Sequence, residues 1–179
     1  YDANTLRGQG LEMEVYRALG IELIYRTHPL KAGKSFRSPP AWLLEGLVEE
    51  VRIKETGTPG AVYHALLKSD RPPRIEDFLK AKPELLEATS LALYRTQALA
   101  LVKTLHQLPE GPKGLGAFLE SLADNESDTK SLLAAYPSLQ NDLSRLGKLW
   151  TLSSARGSAS KGAEPLSVGE TARALKEIL

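Results

Sequence analysis

The chain contains no cysteine in its 179 residues. That excludes a disulfide framework, a thiolate metal site and a cysteine nucleophile, and it leaves the redox compartment undefined. No run of about 18 apolar residues occurs, so no segment has the length of a membrane-spanning helix. An excess of one charge is also missing: 23 Lys and Arg stand against 22 Asp and Glu, for a net charge of +1. No global field therefore draws the molecule to nucleic acid or to anionic lipid, and partners must be recognised by local surfaces. The amino end has no basic, apolar, small-residue signal pattern and opens on Tyr1-Asp2, from which we expect a processed piece of a longer chain.

What is present is a composition ordinary for a soluble globular domain, 42% hydrophobic and 25% charged. The length suffices for a real core, as one domain or as a domain with an appendage. Apolar residues recur at helical spacing throughout, no strand candidate stands out, and no repeat has a fixed period. We therefore expect an all-α, compact multi-helix domain of about seven or eight helices.

Leu11, Val15, Leu19 and Leu23 step by four, with Tyr16 and Ile24 beside them, and predict a helix over 6–26 with that stripe on the core. A polar loop follows from Thr27 to Ser38. Ser38 then reads as the N-cap of a second helix, with prolines in its first turn and Trp42, Leu43, Leu47 and Val51 on its buried side. Gly57, Pro59 and Gly60 end it. Short helices are expected over 61–68 and 75–80. The longest begins at Pro83 and carries Leu86, Leu93, Gln97, Leu101 and Leu105 near one stripe, with Tyr94, Ala98 and Val102 alongside. It is apolar around most of its circumference, and we expect it at the centre of the fold. Three further helices are expected over 113–123, 128–136 and 138–151. Composition then shifts to small polar residues, giving a helical core at 1–151, a linker or long loop at 152–165, and a C-terminal helix at 166–179 capped by Ser167.

The segment Pro40-Ala41-Trp42-Leu43-Leu44-Glu45-Gly46 combines a helix start, an aromatic anchor and an inward carboxylate. It resembles the Pro-x-Trp-Leu-x-Glu-Gly segment of the gluzincin (peptidase MA-like) metallopeptidases, in which that Glu is the third zinc ligand after an upstream His-Glu-x-x-His helix. The resemblance extends through Tyr94-Arg95-Thr96-Gln97-Ala98 and the Leu115, Phe118, Leu119 helix, and covers roughly residues 6–151, without the strands that usually precede the motif helix. It implies that Glu45 matches the third ligand and Glu22 the general base. Ile21 and Tyr25 stand where both histidines belong, and a tyrosine whose hydroxyl titrates near 10 is a poor zinc ligand. The resemblance thus implies a relative with no metal and no cofactor, a pseudoenzyme acting as a binding or structural module in a periplasmic or secreted setting.

Two readings of the vestigial residues stay open. Glu22, Tyr25 and Glu45 could converge in an internal polar cluster, Tyr25 donating to a carboxylate and Arg26 or Arg52 supplying counter-charge. Alternatively, Glu45 is a helix-face carboxylate favoured by the macrodipole, and Glu22 is solvated. A hydrolase with an atypical site around these three residues, or a helical assembly subunit, are the competing functions.

The remaining motifs are weaker. Gly33-Lys34-Ser35 has His28 where a phosphate loop needs glycine. His28, His64 and His106 have no ligand spacing, and no serine lies in a Gly-x-Ser-x-Gly turn. Lys31, Lys34, Phe36, Arg37 and Trp42 gather cationic and aromatic groups near one helix start, either as a binding surface for an acidic protein, a peptide or a glycan, or as a solvated loop pinned by one aromatic. Arg71, Arg74 and Lys80 form a second basic group. Neither has the density of a nucleic-acid footprint.

Overall fold

The computed structural model describes residues 14–22, 24–26, 38–56, 73–122 and 127–159. Among them the fold is all-helical, as the periodicity predicts, with no strand. Helix α1 comprises residues 14–22 and 24–26. It is followed by α2 (Ala41–Thr56), α3 (Ile75–Lys80), α4 (Ala88–Gln107), α5 (Gly111–Leu122), α6 (Asp128–Ala135) and α7 (Leu143–Ala159), with 3-10 turns at Pro83–Leu85 and Pro137–Leu139. No described helix is long and apolar enough to cross a membrane. The expected loop over 27–37, the short helix over 61–68 and the C-terminal helix lie outside the described residues. Helix α7 continues past 151, so residues 152–159 are helical rather than the start of a linker.

Helix α2 starts later than its sequence suggests. Ser38 is not the cap: the Pro40 carbonyl accepts from Leu43 N at 3.0 Å and from Leu44 N at 3.2 Å. A residue that precedes proline is pushed to extended backbone, so Ser38 and Pro39 are both held out of the helix until Ala41. The long helix is also split. Pro83–Leu85 forms a 3-10 turn, and the extended backbone of Leu86 and Glu87 separates it from α4.

From Tyr94 to Leu105, α4 is buried at almost every position, which places it at the centre. Helix α2 lies directly on it because Gly46 lacks a side chain: a Cβ there would sit 2.7 Å from the Ala98 carbonyl oxygen and from Val102 Cγ2. Trp42 stacks on Phe118 of α5 with ring centroids 5.9 Å apart. On the other flank Phe78 of α3 lies between Tyr94 at 4.8 Å and Trp150 of α7 at 4.7 Å. The Trp150 indole N–H donates to the Gln97 carbonyl at 3.0 Å, so this buried ring is satisfied at its polar edge.

Helix α1 is rotated relative to expectation. Val15 and Leu19, from the stripe assigned to the core, are 49% and 59% exposed. Tyr16 and Ile24, from the same expected face, are half-buried, and Arg17, Gly20 and Ile21 are half-buried with them; Gly20 faces Leu44. The surface that α1 meets carries Glu45, so the face bearing Arg17 turns inward. Val51, expected on the buried side of α2, is also 43% exposed.

Candidate functional site

Glu45 is the residue around which the charged interior is built. Only 3% of it is exposed, and α2 presents it between α1 and α4. Its Oε1 accepts from Arg17 Nε at 2.6 Å and lies 2.5 Å from Arg17 Nη2. Its Oε2 accepts from Arg95 Nε at 2.8 Å. Both oxygens are thus occupied by guanidinium groups, and Arg17 also bonds Glu14 on its own helix. A buried carboxylate needs such compensation, because the desolvation of an unpaired ion costs several kcal/mol. The inward carboxylate expected from the sequence is present, and its counter-charges are Arg17 and Arg95.

The other expected counter-charges serve different groups. Arg26 Nε donates to Glu22 at 2.7 Å, an exposed pair one turn apart on α1. Arg52 pairs with Glu49, which is buried one turn after Glu45 on α2. Glu22 is therefore the solvated residue of the second reading, with more than half of its side chain exposed. Tyr25 is half-buried on the same helix. Ile21 and Tyr25 follow Arg17 at i+4 and i+8, so the three share a face. Arg17 is the one that reaches Glu45.

Tyr94, next to Arg95 on α4, adds a neutral polar group. Its hydroxyl is buried without a hydrogen-bond partner. Burial pushes its pKa well above the ordinary tyrosine value, and the negative charges of Glu45 and Glu84 add to the effect. The hydroxyl therefore stays protonated at neutral pH and is no base.

The donor set does not fit zinc. Among the described residues no group of three or more His, Asp or Glu side chains is placed to hold a metal ion. A dication beside Glu45 would also meet two guanidinium charges, each unit pair repelling by about 4 kcal/mol at about 4 Å and an effective dielectric of about 20. Of the second candidate surface, Lys31, Lys34, Phe36 and Arg37 lie outside the described residues. Trp42 is 2% exposed and belongs to the core.

Arg17 was not singled out by motif reading. The signal was in the chain: it stands one helical turn before Ile21, on the face that the motif assigns to the metal. Comparison with known proteins adds nothing to these geometric constraints, since no family model, no curated protein and no solved structure matches the chain.

Proposed function

We propose that this chain is a noncatalytic, metal-free relative of the gluzincin peptidases that acts as a binding or structural module. The observation that carries the reading is the occupancy of Glu45: the carboxylate that would face a metal is closed on both oxygens by Arg17 and Arg95. An ion pair here does the work of neutralising a buried carboxylate that a cation would otherwise do. Hydrolysis at this place has little support, since Glu22 is solvated, Tyr94 is held neutral, and each Glu45 oxygen already accepts from a cation.

The test is the metal content of the purified protein after incubation with zinc and removal of excess metal, alongside Glu45→Gln checked for retained helicity. The expected result is no stoichiometric zinc in either protein. One equivalent of zinc in the parent, lost in Glu45→Gln, would overturn the reading and restore a metallopeptidase site.

A further inference from the structure

Arg17 and Arg95 hold the same carboxylate but spend their donors differently. Arg17 is fully engaged, with Nε and Nη2 on Glu45 and Nη1 on Glu14. Arg95 gives only its Nε, to Glu45 Oε2 at 2.8 Å. Among the described residues no acceptor meets either of its Nη groups. A guanidinium carries its N–H donors in a planar fork, so most of the hydrogen-bonding capacity of Arg95 is unused.

The unused donors are the accessible ones. The Glu45 side chain is 4% exposed, while those of Arg17 and Arg95 are each 23% exposed. What solvent meets at this place is therefore guanidinium and not carboxylate. One buried carboxylate faces two guanidinium groups, which leaves positive charge over. Glu14 offsets part of it on the Arg17 side, but that carboxylate is exposed and its charge is screened by water and salt. Tyr94 brings a second unused donor within the electrostatic reach of Glu45, a buried hydroxyl without a hydrogen-bond partner.

An excess of positive charge beside an open planar fork fits a planar anion of a single charge. We propose that Arg95 is the receptor for a peptide carboxylate, an Asp or Glu side chain or a free chain terminus, which docks end-on against Nη1 and Nη2. Its two oxygens match the spacing of the two nitrogens. The guanidinium is then shared between an internal carboxylate, Glu45 on Nε, and an external one. A phosphate dianion fits less well, because it overshoots the charge left over and is repelled by Glu45 and Glu14. This assignment names a ligand class for the binding role proposed above and rests on that reading. Stoichiometric zinc would overturn the reading, whereas a silent Arg95 side chain overturns the assignment alone.

The experiment is nuclear magnetic resonance of the arginine Nε–H groups and backbone amides of the isotope-labelled full chain at constant ionic strength. The probes are N-acetyl-L-aspartic acid α-amide, which carries a side-chain carboxylate, N-acetyl-L-alanine, which carries a terminal one, the uncharged N-acetyl-L-alaninamide, and inorganic phosphate. The expected result is a saturable shift of the Arg95 Nε–H with the acids, with a dissociation constant on the order of 10 mM, while the fully engaged Arg17 moves less. The acid that binds more tightly identifies the source of the carboxylate. Arg95→Lys keeps the charge beside Glu45 but has no fork, and it should bind at least about fivefold more weakly by the Tyr94 and Thr96 amides, at unchanged helicity. An Arg95 Nε–H that does not move in the parent would overturn the assignment, whatever the variant does. So would an equal shift with the alaninamide, tighter binding of phosphate than of either acid, or undiminished binding in Arg95→Lys.

Discussion

Arg95 Nε donates to Glu45 Oε2 at 2.8 Å across fifty positions of sequence, tying the two central helices α2 and α4 by a buried charge. Removing one partner leaves the other ion in a low-dielectric interior. Glu45→Ala is expected to cost about 3–5 kcal/mol, since it strands two guanidinium groups facing each other. Arg95→Leu should cost less, because Arg17 still neutralises the carboxylate. The two changes together should show a coupling of about 0.5–3 kcal/mol in a double-mutant cycle read by urea unfolding. Additive effects would mean that the pair carries no interaction.

Gly46 gives the second residue of the Glu-Gly pair a reason that involves no metal. The contact between α2 and α4 is so close that a Cβ would fall 2.9 Å from the Ala98 carbonyl carbon and 2.7 Å from its oxygen. Backbone cannot swing aside as a side chain can. Gly46→Ala is therefore expected to destabilise by about 1–3 kcal/mol, although alanine is the better helix former by about 1 kcal/mol. Thermal or urea unfolding decides it. A stabilised variant would show that the helices separate at no cost and that the close approach is not required.

How far the chain could be read in advance is clearest in α1 and α2. Periodicity finds helices because burial on one face repeats every 3.6 residues, and Ile75–Lys80 and Asp128–Ala135 match the expected spans closely. Periodicity does not say which neighbour a face will meet. The Leu11, Val15, Leu19 series looked inward, but the surface that α1 meets contains Glu45, and the charge of Arg17 outweighed the apolar stripe. The inward carboxylate could be read from its place three residues after Trp42. Its partners could not, since they lie 28 and 50 residues away. The contrast yields its own check by urea unfolding. Leu19→Ser should change stability by less than about 0.5 kcal/mol, while Leu43→Ala, fully buried on α2, should cost about 2–5 kcal/mol. A large loss at Leu19 would place the stripe back on the core.

Acid should loosen the far end of the molecule before its centre. Glu110, in the turn between α4 and α5, ties that turn to the Pro137–Leu139 turn by accepting from Ser138 N at 2.8 Å and from Ser138 Oγ at 2.6 Å. Those hydrogen bonds, the hydroxyl's first, hold its carboxyl below the usual 4.5. Asp142, before α7, is held below its usual 3.8 in the same manner by Ser144. A carboxyl with a depressed folded-state pKa releases its proton more readily in the folded than in the unfolded chain. Its stabilisation is complete above the unfolded value and is lost as pH falls through the folded one. Stability measured by urea should therefore decline between about pH 5 and pH 3, and Glu110→Gln should flatten part of that decline. Ser138→Ala, which removes the hydroxyl donor and keeps the backbone one, should move the Glu110 carboxyl back toward 4.5 in a carbon resonance titration. An unchanged Glu110 titration in that variant would show that the hydroxyl does not hold the carboxylate, and the acid sensitivity would then have to originate elsewhere in the fold.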